Sequence, residues 1–163
     1  MCLIPIVKNE IDIPIIAAGG IASAEAILAA FALGAEGVQI GSRFAASLES
    51  SAHTNFKKEI VNSSENDTIL TLKELAPVRL LKNAFYLKIL DAYKKGVTPV
   101  ELKKLLGTGR AKKGMFEGNL EEGELEIGQV SAQINEIKSA KEIMEELTEG
   151  FKMAKNNLNN FAF

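Results

Sequence analysis

Tryptophan is absent from this chain, and cysteine and histidine occur once each, as Cys2 and His53. A lone cysteine closes no internal disulfide, and one Cys with one His cannot assemble a zinc cluster. No structural metal is therefore expected, and a reducing compartment, the cytoplasm, is the expected location. Long apolar runs are also missing. The apolar start over residues 1–7 is short and broken by Pro5, so neither a membrane span nor an export signal is expected. Charge of one sign is not in excess, with 19 Lys+Arg against 21 Asp+Glu. The net charge of -2 gives no basic field to hold nucleic acid or an anionic membrane. Solenoid repeats and low-complexity tracts are lacking too. What remains is 163 residues at 47% hydrophobic content, enough to bury the core of one ordinary domain.

The first informative stretch is Ile13, Pro14, Ile15, Ile16, Ala17 and Ala18, apolar without alternation. Such a run predicts a parallel strand covered on both faces, with Pro14 tolerated at its start. Gly19 and Gly20 end it, and Ser23 is placed to cap a helix whose Ala26, Ile27, Ala30, Phe31 and Leu33 recur at helical spacing until Gly34. A second short apolar strand, Gly37 to Ile40, then runs into Gly41 and Ser42, so residues 13–42 read as one βαβ unit with parallel, adjacent strands. Both glycine turns fall at the C-terminal ends of the strands, the edge where open α/β sheets and β/α barrels bind ligands. Glycine admits a ligand close to the backbone, and free amides there can donate to phosphate oxygens. The dinucleotide fingerprint is missing, so a mononucleotide phosphate fits better. The same glycines could also serve as βα turns without any ligand.

The segments Ile13-Pro14-Ile15-Ile16-Ala17-Ala18-Gly19-Gly20-Ile21-Ala22 and Ala32-Leu33-Gly34-Ala35-Glu36-Gly37-Val38-Gln39-Ile40-Gly41-Ser42-Arg43-Phe44 resemble the nitronate monooxygenase family, formerly called 2-nitropropane dioxygenase, which includes FMN-dependent enoyl-ACP reductases. The resemblance continues through Glu49-Ser50-Ser51-Ala52-His53, Val78-Arg79, Lys82-Asn83, Glu121-Glu122-Gly123 and Gly128-Gln129. It implies an α/β chain forming the C-terminal part of a TIM-type β/α barrel, namely its last βαβ unit, with an appended, mainly helical C-terminal region. The implied division is residues 1–50 for the last two barrel strands and their turns, and 51–163 for the rest. FMN is the implied cofactor, its phosphate held by Gly19, Gly20, Gly41 and Ser42, mostly through backbone amides. The family's catalytic histidine lies in an Ala-Gly-Gly-His segment that nothing here matches, since Ile21 follows Gly19-Gly20. No catalytic residue is therefore assigned. The chain is expected to be inactive alone, as a truncated product, one subunit of a split enzyme or an incomplete reading frame. A complementing N-terminal fragment is an expected partner, and self-association through uncovered barrel faces is a second expectation. A nitronate is the favoured substrate, with an enoyl thioester, or a catalytically inactive phosphate-ligand module, as alternatives.

His53 lies in a polar stretch where a local hydrogen-bonding or capping role is expected. Arg43 either neutralises a phosphate or forms a salt bridge. Cys2 is not expected to be reactive. Further along, Thr68 to Leu72 and Val78 to Leu81 are β-prone runs that can pair as a ribbon. Helices are expected from Ala84 to Lys95 and from Pro99 to Leu106, the second capped by Thr98. Glycines from Gly107 to Gly128 then suggest a long substrate-side loop, of the kind that serves as a functional lid or mobile region, with Glu117, Glu121, Glu122, Glu124 and Glu126 as solvated acids rather than a metal site. The resemblance puts Gln129 near the flavin edge as a substrate-side candidate; capping a helix is its alternative role. A terminal helix beginning after Ser139 is expected to pack and not to catalyse.

Overall fold

Pro5 does not prevent a helix at the start of the chain. Leu3–Glu10 forms α1 in the computed structural model, which describes residues 2–160. Proline is accepted there because the first four amides of a helix have no helical acceptor to lose. Contacts divide the chain into two units, residues 1–49 with 138–163, and residues 50–137. The terminal helix is part of the first unit.

Unit 1 is built on a parallel pair, β1 (Ile16–Ala18) and β2 (Gly37–Gln39), with Ala17 opposite Val38. The helix between them, α2 (Ala24–Ala32), is capped by Ser23, whose Oγ accepts the Ala26 amide at 3.2 Å. The βαβ unit thus forms as its apolar pattern predicts. Its strand is shorter than the apolar run, however, and Ile13 and Ile16 are 67% and 59% exposed while Ala17 alone of β1 is buried. The expectation of burial on both faces is corrected. Ala17 packs with Ile21, Ala30 and Ala35 on the helix-covered face, and none of the described residues buries the other.

A single turn, α3 (Ser42–Ala45), follows β2. The long α7 (Ala140–Asn159) completes the unit, with Ser139 and Glu142 forming a reciprocal capping box. It packs against α2, where the Phe31 and Phe151 rings meet edge to face at 5.6 Å. Ile143 and Leu147 are its buried residues, each contributing about 1.5–3 kcal/mol by leaving water. The two parts of unit 1 are also tied by polar contacts. The Leu48 amide donates to the Lys138 carbonyl at 2.9 Å, and the Ala140 amide to Glu49 Oε2 at 2.8 Å.

Unit 2 begins with α4 (Thr54–Asn62), continues into the antiparallel ribbon of β3 (Thr68–Thr71) and β4 (Val78–Leu81), and adds α5 (Ala84–Lys94) and α6 (Pro99–Leu106). Asn83 caps α5 and Thr98 caps α6, the latter in a box with Glu101. The core joins Leu72 and Leu80 to Phe85, Ile89 and Leu102.

The glycine-rich stretch is not irregular throughout. It contains a π-helical turn, Lys112–Phe116, and an antiparallel bridge between Glu126 and Leu80. Gly114, Gly118 and Gly123 are buried, and Gly123 lies so close to Gly114 that a Cβ would strike its backbone. Arg110 fastens the stretch to α6 by donating to the carbonyls of Leu105, Leu106 and Glu122, with its guanidinium 4.2 Å from the Phe85 ring centroid. Gly114, Gly118 and Gly123 serve close packing here. Among the described residues, no helix is long and apolar enough to cross a membrane.

Candidate functional site

The register that opposes Ala18 to Gln39 aligns the C-terminal ends of β1 and β2. Gly19 and Gly20 leave β1 with φ of 95° and 71°, values that L side chains rarely adopt, so glycine is required at this turn. Gly41 and Ser42 leave β2 one residue after Ile40. The four residues singled out by sequence therefore gather at one edge of unit 1. Gly19, Gly20 and Gly41 are exposed, and a Cβ added at any of them would meet nothing within 4 Å. That open space lets a ligand reach the backbone. An apolar cavity of about 620 Å³ adjoins Gly19 and Gly20, lined also by α1 residues Leu3, Ile4 and Val7 and by Ala26 and Ala29 of α2. Sequence reading did not foresee this cavity, because α1 itself was not expected.

On the uncovered face of the strands, Ile16 and Gly37 are register partners, and so are Ala18 and Gln39. Gln39 is exposed at the end of β2, a polar side chain at the same edge as the turns.

The other candidates fall as follows. Arg43 forms an ion pair, its Nη2 lying 2.8 Å from Glu146 Oε2 on α7. Lys138 Nζ approaches the same oxygen at 2.9 Å. The Lys138 hydrogen bond holds the Glu146 carboxyl below its ordinary range; burial, the next largest effect, opposes it, and the charges of Arg43 and Lys138 with the Arg43 hydrogen bond reinforce it. His53 caps α4: its Nδ1 accepts the Asn55 amide at 3.1 Å, and its own amide donates to the Met115 carbonyl at 2.8 Å. The local role read from its polar neighbours is what the structure contains. Cys2 is an exposed free thiol.

Gln129 belongs to unit 2, where it is exposed and opens a 3-10 turn, Gln129–Gln133. Of the loop acids, Glu117 and Glu121 are exposed, but Glu124 is buried, which corrects the expectation that all five are solvated. Its burial raises the carboxyl, Glu126 adds to the rise, and Arg110 opposes it. Among the described residues no three His, Cys, Asp or Glu side chains are grouped to hold a metal ion.

A parallel βαβ unit with both strands ending in glycine turns at one edge defines the class of β/α proteins that present backbone to a ligand at their strand ends. The sequence profile of nitronate monooxygenase matches residues 1–150, and the chain belongs to that family of oxidoreductases. A probable nitronate monooxygenase of Staphylococcus saprophyticus is 33% identical over 155 residues, an alignment covering 88% of this chain and 43% of that one. Among solved structures, FabK from Thermotoga maritima superposes with a TM-score of 0.90 at 39% identity, over 98% of this chain and 51% of FabK. A nitroalkane oxidase from Streptomyces ansochromogenes gives a TM-score of 0.76 at 28% identity, over 96% of this chain and 44% of that one. Both are TIM-barrel enzymes, and the present chain is an α/β, C-terminal portion of that architecture. It spans about half the length of the relatives it matches.

Proposed function

We propose that this chain supplies the phosphate-holding edge of an FMN-dependent oxidoreductase that acts on nitronates. The observation supporting this reading is the strand register, which sets Gly19-Gly20 beside Gly41-Ser42 with open space over the glycines. The fit is to the phosphate end of the cofactor. Exposed glycine backbone at two adjoining strand ends suits a phosphate, which takes several amide donors at once. When bound, FMN supplies the electron transfer, and the protein contributes orientation and electrostatics. Gly19, Gly20, Gly41 and Ser42 hold and orient the phosphate, and Gln129 is the substrate-side candidate. By the family resemblance, the substrate's acidic proton falls to a histidine of a complementing N-terminal segment; His53 caps α4. The cytoplasm is the proposed location.

A second reading is favoured by a specific observation. FabK, an enoyl-ACP reductase, is more similar in both identity and TM-score than the nitroalkane oxidase. Under that reading the substrate is an enoyl thioester and the strand-edge chemistry is unchanged. A catalytically inactive phosphate-ligand module is the third reading.

Purification and reassembly separate the three. The chain alone should purify without stoichiometric flavin, since the turns cover only the phosphate end and most of the cofactor stays in water. A tight one-to-one yellow complex would refute the idea that another segment is needed. Gly20→Val or Gly41→Val should weaken FMN binding more than His53→Ala does, and the reverse ranking would refute the site assignment. Co-expression with an N-terminal family segment should restore FMN retention. Oxygen consumption with a nitronate supports the first substrate, and NAD(P)H oxidation with an enoyl thioester the second. FMN retention without either activity supports the binding module.

A further inference from the structure

Arg43 follows Ser42 directly, yet its side chain turns away from solvent. The residue is 6% exposed, its Nη2 bonds Glu146 Oε2 at 2.8 Å, and its Nε is buried with no hydrogen-bond partner. A buried guanidinium held by one carboxylate, with a donor left unsatisfied, is a poor way to gain stability, because desolvation offsets most of the attraction. An apolar side chain of similar volume would fill the same space at lower cost. What the ion pair does provide is a fixed distance between two places in unit 1 that are 103 residues apart in sequence.

Glu146 is itself fixed. It sits on α7, one turn beyond the buried Ile143 and beside the buried Leu147, and Lys138 bonds the same carboxylate oxygen. Two further ties, from the Leu48 amide to the Lys138 carbonyl and from the Ala140 amide to Glu49, hold the far end of the 42–49 segment to the same stretch of chain. Arg43 is the tie nearest the turn. Because α3 is a single turn from Ser42 to Ala45, anchoring the Arg43 side chain constrains the peptide planes on either side of it.

We infer that Arg43 is the positioning residue of the Gly41-Ser42 turn: bridged to Glu146, it aims the turn's backbone at a phosphate that it does not itself touch. The inference rests on the phosphate reading above and deepens it by separating the group that orients from the groups that bind. It makes affinity for a phosphate monoester depend on an ion pair pointing away from the ligand. Binding of the same flavin without its phosphate should not depend on it.

The test is a two-dimensional amide NMR titration of the full chain with inorganic phosphate, FMN and riboflavin. In the parent chain the Gly19, Gly20, Gly41 and Ser42 amides should respond to phosphate and to FMN. Arg43→Met and Glu146→Gln should each weaken both by about tenfold, the order by which residues without ligand contact alter coupled binding. Riboflavin responses should stay unchanged. Arg43→Lys should recover part of the loss, and the exchange Arg43→Glu with Glu146→Arg should recover more than either single change. If Arg43→Met fails to fold, Glu146→Gln and Arg43→Lys still give the answer. Silence of these amides in the parent chain overturns the phosphate reading, and the inference with it. A normal parent response with unchanged affinity in Glu146→Gln and Arg43→Lys overturns the inference alone. Equal losses for riboflavin and FMN show general loosening and overturn it as well.

Discussion

Replacing Gly118 by alanine tests the role of the only histidine without touching the histidine. Gly118 has φ of 73°, and an added Cβ would fall on the His53 ring, 2.5 Å from both Cε1 and Cγ. The ring is rigid and cannot yield as a flexible chain end would. Displacing it loses the Nδ1 cap on the Asn55 amide, a loss of about 1 kcal/mol for a typical N-cap. The left-handed backbone adds about 1–2 kcal/mol once a Cβ is present. Gly118→Ala should therefore cost roughly 2–3 kcal/mol, a large share of a typical domain's stability. With a urea slope of about 1–3 kcal/mol/M, the midpoint should fall by roughly 1 M or more. The chain offers a clean readout. It has no tryptophan, and its two tyrosines, Tyr86 and Tyr93, both lie in unit 2, so tyrosine emission reports that unit alone. His53→Ala should cost about 1 kcal/mol. The double variant should cost less than the sum, because the small side chain leaves room for the new methyl. A midpoint for Gly118→Ala indistinguishable from the parent's, or strict additivity in the double variant, would refute the capping role.

Glu124 sets a pH dependence of definite sign. Its carboxyl is raised by burial, so folded unit 2 keeps a proton that the unfolded chain releases; this contribution is fully present below the ordinary glutamate value of about 4.3 and is lost as pH rises through the folded value. Glu124→Gln should retain it, giving a urea midpoint that falls less than the parent's between about pH 4 and pH 7, whereas parallel profiles would refute the assignment. Ser139→Ala removes one half of the α7 capping box and should destabilise unit 1 by about 1 kcal/mol, read as faster hydrogen exchange at the Glu142 amide and the turn after it. Leu147→Ala, at a residue 5% exposed, should cost about 2–5 kcal/mol in the same unit, and a loss below about 1 kcal/mol would contradict its place in the core.

Local chemistry was legible in the sequence, and contacts between distant segments were not. Ser23, Thr98 and Ser139 cap the helices they precede, because capping needs only a short polar side chain at the right offset. The ribbon of β3 and β4 was equally readable, since β-branched residues and an intervening proline mark it within a few positions. The edge gathering Gly19, Gly20, Gly41 and Ser42 follows from a βαβ pattern contained in thirty consecutive positions, residues 13–42. Elsewhere glycine is ambiguous, because a residue without a side chain serves an open loop and close packing alike. Gly114 and Gly123 pack backbone to backbone, and nothing adjacent in sequence announces it. The burial of Glu124 and the pairing of Arg43 with Glu146 depend on partners supplied by tertiary structure. α1 was missed because Pro5 reads as a break, although a proline in the first turn of a helix forfeits no helical hydrogen bond.

The hydrogen bond from the Leu48 amide to the Lys138 carbonyl joins the place where the chain leaves unit 1 to the place where it returns. Everything between, residues 50–137, is therefore a cassette spliced into a host whose cut ends remain fastened to each other. Loop-closure entropy grows slowly with length, so such a host is nearly indifferent to how long the cassette is. A change in the cassette's length at the splice should therefore leave the strand edge and its α2–α7 brace intact. The same splice permits an engineered graft: a short Gly/Ser link from Glu49 to Lys138 in place of the cassette should preserve the Phe31–Phe151 ring contact, and loss of its upfield aromatic shifts would show that the host depends on what it carries.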